Sequence, residues 1–132
     1  MTPVPPDVEL LLLTWLRSHP LLADVTFGSI RPDSMPTSFV LLTRIGGDAA
    51  PMARSAPLTD TAVMDVQCWA STQHAASQLA RTTRAALYES RGQHALGVIS
   101  RVQPFTGLGE IPDPLAPQVM SRYGFGLTFT IH

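Results

Sequence analysis

The chain has 132 residues, of which 45% are apolar and only 14% are charged, and its formal net charge is −1 at pH 7. This length fits one domain with its own core, and the apolar content excludes a globally disordered chain. The near-neutral charge excludes the basic excess that nucleic-acid-binding domains usually carry. So few charges favour a protein that buries part of its surface against partners.

The basic residues and the single cysteine further limit the kinds of protein and site that this sequence can form. All nine basic residues are Arg, which fits a GC-rich coding sequence or selection for bidentate Arg contacts. The single cysteine, Cys68, excludes an internal disulfide and a Cys-rich zinc site. The apolar run 10–13 is shorter than the ~20 residues of a membrane span and lacks the basic start of a signal peptide. We therefore expect no secretion signal and no membrane partner.

The first half of the chain predicts one helix, two strands and a long loop. Asp7 can cap a helix whose apolar stripe runs from Val8 to Leu16, and Pro20 ends it. Residues 25–30 and 39–45 have strand composition, and the second run is apolar enough for a central strand. Residues 46–61 hold Gly, Pro and apolar side chains without a period, which predicts a long loop that orders against a partner.

The second half predicts a strand, a helix and two further strands. Residues 62–70 alternate, and a helix capped by Ser71 or Thr72 follows, with a small, Ala-rich buried stripe. Residues 95–102 are a strand candidate, and 104–118, rich in Pro and Gly, predicts a second long loop. Residues 121–131 alternate large apolar residues with a set containing Gly124 and Gly126, which leaves space for another element on that side.

This order of elements predicts a single α+β domain over 1–132. We expect a mostly antiparallel sheet of about four to five strands, two helices packed on it, and long loops between strands.

Cysteine and histidine chemistry has two interpretations in this sequence. Cys68 precedes a helix N-terminus and His74 lies in its first turn, an arrangement that can activate a thiolate. The alternative is a buried structural cysteine on the Met64–Val66–Ala70 face, which is the commoner fate of a free cysteine. The four histidines have no metal-ligand spacing, so we predict neither a catalytic residue, nor a metal site, nor a cofactor.

The charged residues give two weaker candidates. Asp60 and Asp65 could pair as carboxylates, although Asp60 fits the turn before the strand better. Arg81 and Arg84 fit either a solvated helix face or an interface patch, because Arg is enriched at protein contacts.

Two segments resemble a known family. The strand VMDVQCWAS followed by the helix QLARTTRAAL, within 63–87, and the strand 121–131 opened by Arg122-Tyr123, resemble tail terminator proteins of long-tailed phages. The order of elements matches that family along nearly the whole chain, including an N-terminal helix that ends near His19-Pro20.

The resemblance implies a structural virion protein without enzymatic activity. Such proteins assemble as a hexameric ring on the head-proximal end of the tail tube, stop tube polymerisation and join the tail to the head. The implied partners are other copies of the chain, the tail tube protein and a head-completion or neck protein. Genomic DNA would pass through the lumen without sequence-specific binding, and assembly would take place in the host cytoplasm.

The interface candidates lie in the two predicted loops and on the second helix. We expect contacts with a neighbouring subunit, the tube or the neck from Met52, Arg54, Leu58, Arg81, Arg84, Leu108, Ile111 and Leu115. Two alternatives stay open: a head–tail connector or neck completion protein, and a small ligand-binding or enzymatic α+β domain with a pocket of convergent polar groups.

Overall fold

The computed structural model describes residues 7–34, 36–47, 49–51, 58–111 and 120–132. Helix α1, Val8–Arg17, begins at Asp7, whose carboxylate accepts a hydrogen bond from the Leu10 N–H at 3.1 Å. A 3-10 turn, Pro20–Leu22, follows it. Helix α2, Gln73–Tyr88, begins at Thr72, whose hydroxyl accepts from the Ala75 N–H. Both predicted caps are confirmed, with Thr72 rather than Ser71 at the second.

The described residues contain seven strands in one sheet. Their bounds are β1 Thr26–Gly28, β2 Ser38–Gly46, β3 Ala49–Pro51, β4 Leu58–Ala70, β5 Gly92–His94, β6 Gly97–Glu110 and β7 Ser121–Ile131. Six strands follow the order β1-β2-β4-β7-β6-β5, and β3 pairs with β4 beyond the end of β2. Strands β1 and β2 run parallel, whereas the other pairs are antiparallel.

The α+β class is confirmed, but the expected sheet of four to five mostly antiparallel strands is wrong. The sheet is mixed because β1 joins β2 in parallel, and it is larger because two further three-residue strands, β3 and β5, are present. Strands β3 and β5 carry too little sequence for an alternating pattern, so the sequence could not separate them from loops, whereas β1 lies within the predicted strand 25–30.

Both predicted long loops are shorter than expected. Strand β6 continues to Glu110 and takes in the first part of 104–118, while β3 and the start of β4 lie within 46–61. Three register shifts between β6 and β7 let the pairing continue past Pro104 and the glycines that signalled a loop. Gly47 makes the corresponding bend after β2: its φ is +92°, and a Cβ there would lie 1.7 Å from the Thr61 carbonyl oxygen.

One face of the sheet, the helix face, is covered by α1 and α2. Met64, Val66 and Cys68 of β4 lie on it beside alternate residues of β2 and β7. All of these side chains are buried with the apolar stripes of both helices. The largest fully buried members of this core are Leu11, Leu12, Leu16, Leu22, Leu42, Met64, Leu87, Ile99, Phe125 and Phe129.

The opposite face, the open face, is not covered by either helix. It carries Asp65, Gln67 and Trp69 of β4 together with the intervening residues of β2 and β7. The close approach predicted at the two glycines of β7 is present. A Cβ on Gly124 would lie 2.3 Å from Ile111 Cδ1, and one on Gly126 would lie 2.7 Å from Thr106 Oγ1.

Within the described ranges, neither helix combines the length and the apolar content that a membrane span needs.

Candidate functional site

Cys68 lies in the core rather than at an accessible site. It is fully buried on the helix face, and burial raises the pKa of its thiol to about 12. The neighbouring Thr83 hydroxyl offsets part of that rise. His74 is exposed in the first turn of α2, whereas Cys68 is fully buried. The structure therefore supports the interpretation of Cys68 as a structural cysteine, since a thiolate is the form that reacts.

The histidines lie at separate places and serve local structure. His19 caps the 3-10 turn through Nδ1 and lies 3.8 Å from the Glu89 carboxylate. The ring of His94 contacts the Ser90 carbonyl and packs edge-on against Trp15. Among the described residues no three His, Cys, Asp or Glu side chains are grouped as metal ligands would be.

The two aspartates lie on opposite faces of β4 and do not form a carboxylate pair. Asp60 is 2% exposed and binds the Arg44 guanidinium through both oxygens, at 2.6 and 2.7 Å. Asp65 is on the open face, where its carboxylate accepts from the Gln67 amide at 2.7 Å. The expectation that Asp60 belongs to a turn is wrong, because β4 begins two residues before it.

Arg81 and Arg84 lie one turn apart on α2 and differ in exposure. Arg81 is exposed and donates to the Ser77 carbonyl one turn earlier, whereas Arg84 is half-buried. Arg81 also lines an open cleft of about 350 Å³ between α2 and the 3-10 turn, with His19, Leu21 and Glu89. The cleft is also lined by the polar side chains of Gln78 and Thr82 and by apolar Ala85 and Ala86.

A cluster on the open face was not predicted. Trp69 is 1% exposed although neither described helix covers it, and Arg31 and Arg122 place their guanidinium groups 5.4 and 5.7 Å from its ring centroid. Phe39 packs against the same ring. Arg122 also donates to the Gln67 side-chain carbonyl at 2.9 Å, which links the cluster to Asp65.

This cluster attaches the segment after β1 to the open face. Guanidinium groups over an indole ring interact with its electron-rich face, and the interaction strengthens when water is excluded. The sequence held one signal for it, the position of Trp69 opposite Arg122 in neighbouring alternating strands. Arg31 is 38 positions away from Trp69 along the chain, so no local pattern connects the two.

The apolar interface candidates of the second predicted loop are partly used within the chain. Leu108 is half-buried and packs against the core, and half-buried Ile111 covers Gly124. Leu58 is the first residue of β4. Met52, Arg54 and Leu115 lie outside the described residues, so their predicted contacts stay predictions.

Both edges of the sheet offer stretches without a described partner strand. Strand β5 pairs with only the first three residues of β6, and β1 pairs with Phe39–Leu41 of β2. Within the described ranges, the outer edges of residues 100–110 and 42–46 therefore have no strand beside them. Each stretch carries an exposed apolar side chain, Phe105 at 55% and Ile45 at 56%.

No protein-family model matches this chain, and no curated protein matches it either.

Proposed function

We propose that this protein is a structural virion component, a tail terminator that forms a ring on the head-proximal end of a phage tail tube. The observation that carries the proposal is the place of the two segments that resemble the family. They supply β4, α2 and β7, and β4 pairs with β7 along the whole length from Ala70 to Asp60. The resemblance therefore falls on the structural centre of the domain.

The chemistry of the described residues agrees with an assembly role. The one cysteine is buried with a raised thiol pKa, and two arginines of the sheet make structural contacts, Arg44 with Asp60 and Arg122 with Gln67. By contrast, among the described residues one face of the sheet has no helix over it and two edge stretches have no partner strand. Backbone groups and apolar side chains at such edges are what another protein chain binds.

In the proposed assembly the partners are further copies of the chain, the tail tube protein and a head-completion or neck protein. The ring surrounds the path of the genomic DNA at the head–tail interface and contacts it without reading its sequence. A hexamer is the stoichiometry implied by the resemblance. Arg81, Arg84 and the residues of 46–61 and 104–118 stay the proposed contact positions.

Electron microscopy of particles produced without this gene tests the proposal. We expect overlong tails and detached heads, because nothing would stop the tube or join it to the neck. Complementation with the intact gene should restore tail length and attachment. Tails of normal length that remain detached would instead identify a connector or neck completion protein. Intact infectious particles would refute both assembly roles.

A further inference from the structure

The two open edges of the sheet differ in sequence and lie at the same level. Through the paired strands, Gly46 aligns with Val63, Thr128 and finally Gln103. Leu42 aligns with Val66 and Phe125, which falls between the partners of Thr106 and Gly109. The open stretch 42–46 of β2 is therefore level with residues 103–108 of β6.

The strand directions also fit a head-to-tail contact. From β2 through β4 and β7 to β6 every neighbouring pair is antiparallel. If a second copy joined with the same strand axis, its β2 would lie beside β6 of the first copy and continue this alternation. Two different edges that meet in this way form a heterologous interface, which is the type that closes into a ring.

The composition of the stretch 103–108 suits an edge that pairs with another strand better than an edge exposed to water. Residues 103–107 are all exposed and uncharged, and they include Phe105, whose ring lies beside Gly126 of β7 and is still half-exposed. Natural edge strands are usually protected by charges, proline or bulges. Strand β6 has Pro104 and its register shifts, which restrict pairing to a short, bent partner, but no charge lies between Arg101 and Glu110.

We propose that β6 of one copy pairs with the open stretch of β2 in the next copy, through residues 103–108 and 42–46. The occupant of each edge is thus a second copy of this chain, and Phe105 of one copy contacts Ile45 of its neighbour. β1 lies beside Phe39–Leu41 and limits the length of the new pairing. This inference rests on the proposed ring and names the surface that builds it.

Cysteine cross-linking of the intact protein tests the contact. The double variant Ile45→Cys/Phe105→Cys places one thiol at each edge, while buried Cys68 stays unreactive. Three strand spacings separate the two positions within one copy, about 14 Å, which is beyond the reach of a disulfide. A cross-link between them therefore joins two copies.

On a non-reducing denaturing gel we expect the double variant to give a ladder of linked chains, and each single variant to give none. Linked dimers from Phe105→Cys alone would show that two β6 edges pair with each other, which overturns the head-to-tail contact. A ring that mass measurement detects but that yields no cross-link would overturn the inference and leave the proposed function standing. A ladder of cross-linked chains, together with normal tails in particles lacking the gene, would support the edge contact and refute the proposed function. A chain that stays monomeric without cross-links would overturn the inference.

A second pair of variants separates the edge from the rest of the surface. Phe105→Lys adds a charge to the edge, and Leu10→Lys adds one to an exposed position of α1 that is similarly apolar, at 46% exposure. We expect Phe105→Lys to raise the dissociation constant of the oligomer by at least about tenfold, while Leu10→Lys leaves it unchanged. Circular dichroism should show that both variants are folded. Equal oligomer formation by the two variants would contradict the proposal.

Discussion

Adjacent residues of the same strands point to opposite faces of the sheet and have different surroundings there. Cys68 on the helix face is sealed among apolar side chains, whereas adjacent Trp69 on the open face is covered by two guanidinium groups. In β7, Phe129 is fully buried while Thr128 is half-exposed. The contrast indicates that the helix face is stabilised by apolar packing along its whole length. The open face combines the buried Trp69 and Phe39 at one end with half-exposed positions such as Thr128, which should tolerate change.

The largest difference between the faces should come from neighbouring substitutions in β7. Phe129→Ala removes a fully buried ring and leaves a cavity under α2, so we expect a loss of about 3–5 kcal/mol in the free energy of unfolding. Thr128→Ala, on the open face, should change it by less than about 1 kcal/mol. Urea unfolding of both variants measures the two values. Similar losses would mean that the open face also supports the core.

The next effect concerns the ion pair at the end of the helix face. Asp60→Asn removes the charge that Arg44 faces at 2.6 Å, and Arg44 is itself 29% exposed. We expect the free energy of unfolding to fall by about 3 kcal/mol. This is the lower end of the range for breaking a buried ion pair, because water still reaches Arg44.

Asp65→Asn is the matched control on the open face. An asparagine carbonyl can still accept the hydrogen bond from Gln67, so the expected loss is below about 1 kcal/mol. If urea unfolding shows a larger loss of unfolding free energy for Asp65→Asn than for Asp60→Asn, the open-face contact contributes more to stability than the buried ion pair, contrary to this prediction.

A smaller effect is expected within the cluster on Trp69. Arg122→Ala removes one guanidinium from the indole and one hydrogen bond to Gln67, so we expect a loss of about 1–2 kcal/mol. Arg101→Ala, an exposed arginine on β6, should stay within about 0.5 kcal/mol of the parent. The intrinsic fluorescence of Trp69 should also shift in Arg122→Ala as water reaches the ring. An unchanged spectrum and stability would exclude the cluster as the cover of Trp69.

The same contrast explains what the sequence could predict. The alternation in 62–70 and 121–131 and the helical stripe of α2 are local patterns, and each led to the correct element and buried face. The predicted strand 95–102 ends before β6 does, because Pro104 and the glycines that follow it are typical of a loop. Pairing with β7 through bulges overrides that local preference. Arg31 over Trp69 and Arg44 on Asp60 join residues far apart along the chain, so they follow only from the folded sheet.

The last predicted effect, about 1 kcal/mol between pH 8 and pH 10, is the pH dependence that Cys68 adds to stability. Its thiol pKa of about 12 in the folded chain lies above the ordinary value of 9.0, so the neutral thiol is favoured by folding. Below pH 9 both states hold the proton and the contribution is fully present. Between pH 9 and 12 the unfolded chain loses the proton first, and stability should fall by up to about 1.4 kcal/mol per pH unit.

The variant Cys68→Ala isolates this contribution, because every other titrating group is shared with the parent. Urea unfolding at pH 8 and pH 10 should show a larger decrease for the parent than for the variant, by about 1 kcal/mol. Identical decreases would mean that Cys68 is reached by water in the folded chain. In that case a thiol reagent should modify Cys68 of the native protein at pH 8 as fast as it does in urea. If the helix face excludes water, modification of the native protein should be much slower. The two measurements together decide whether the helix face is closed beside Trp69.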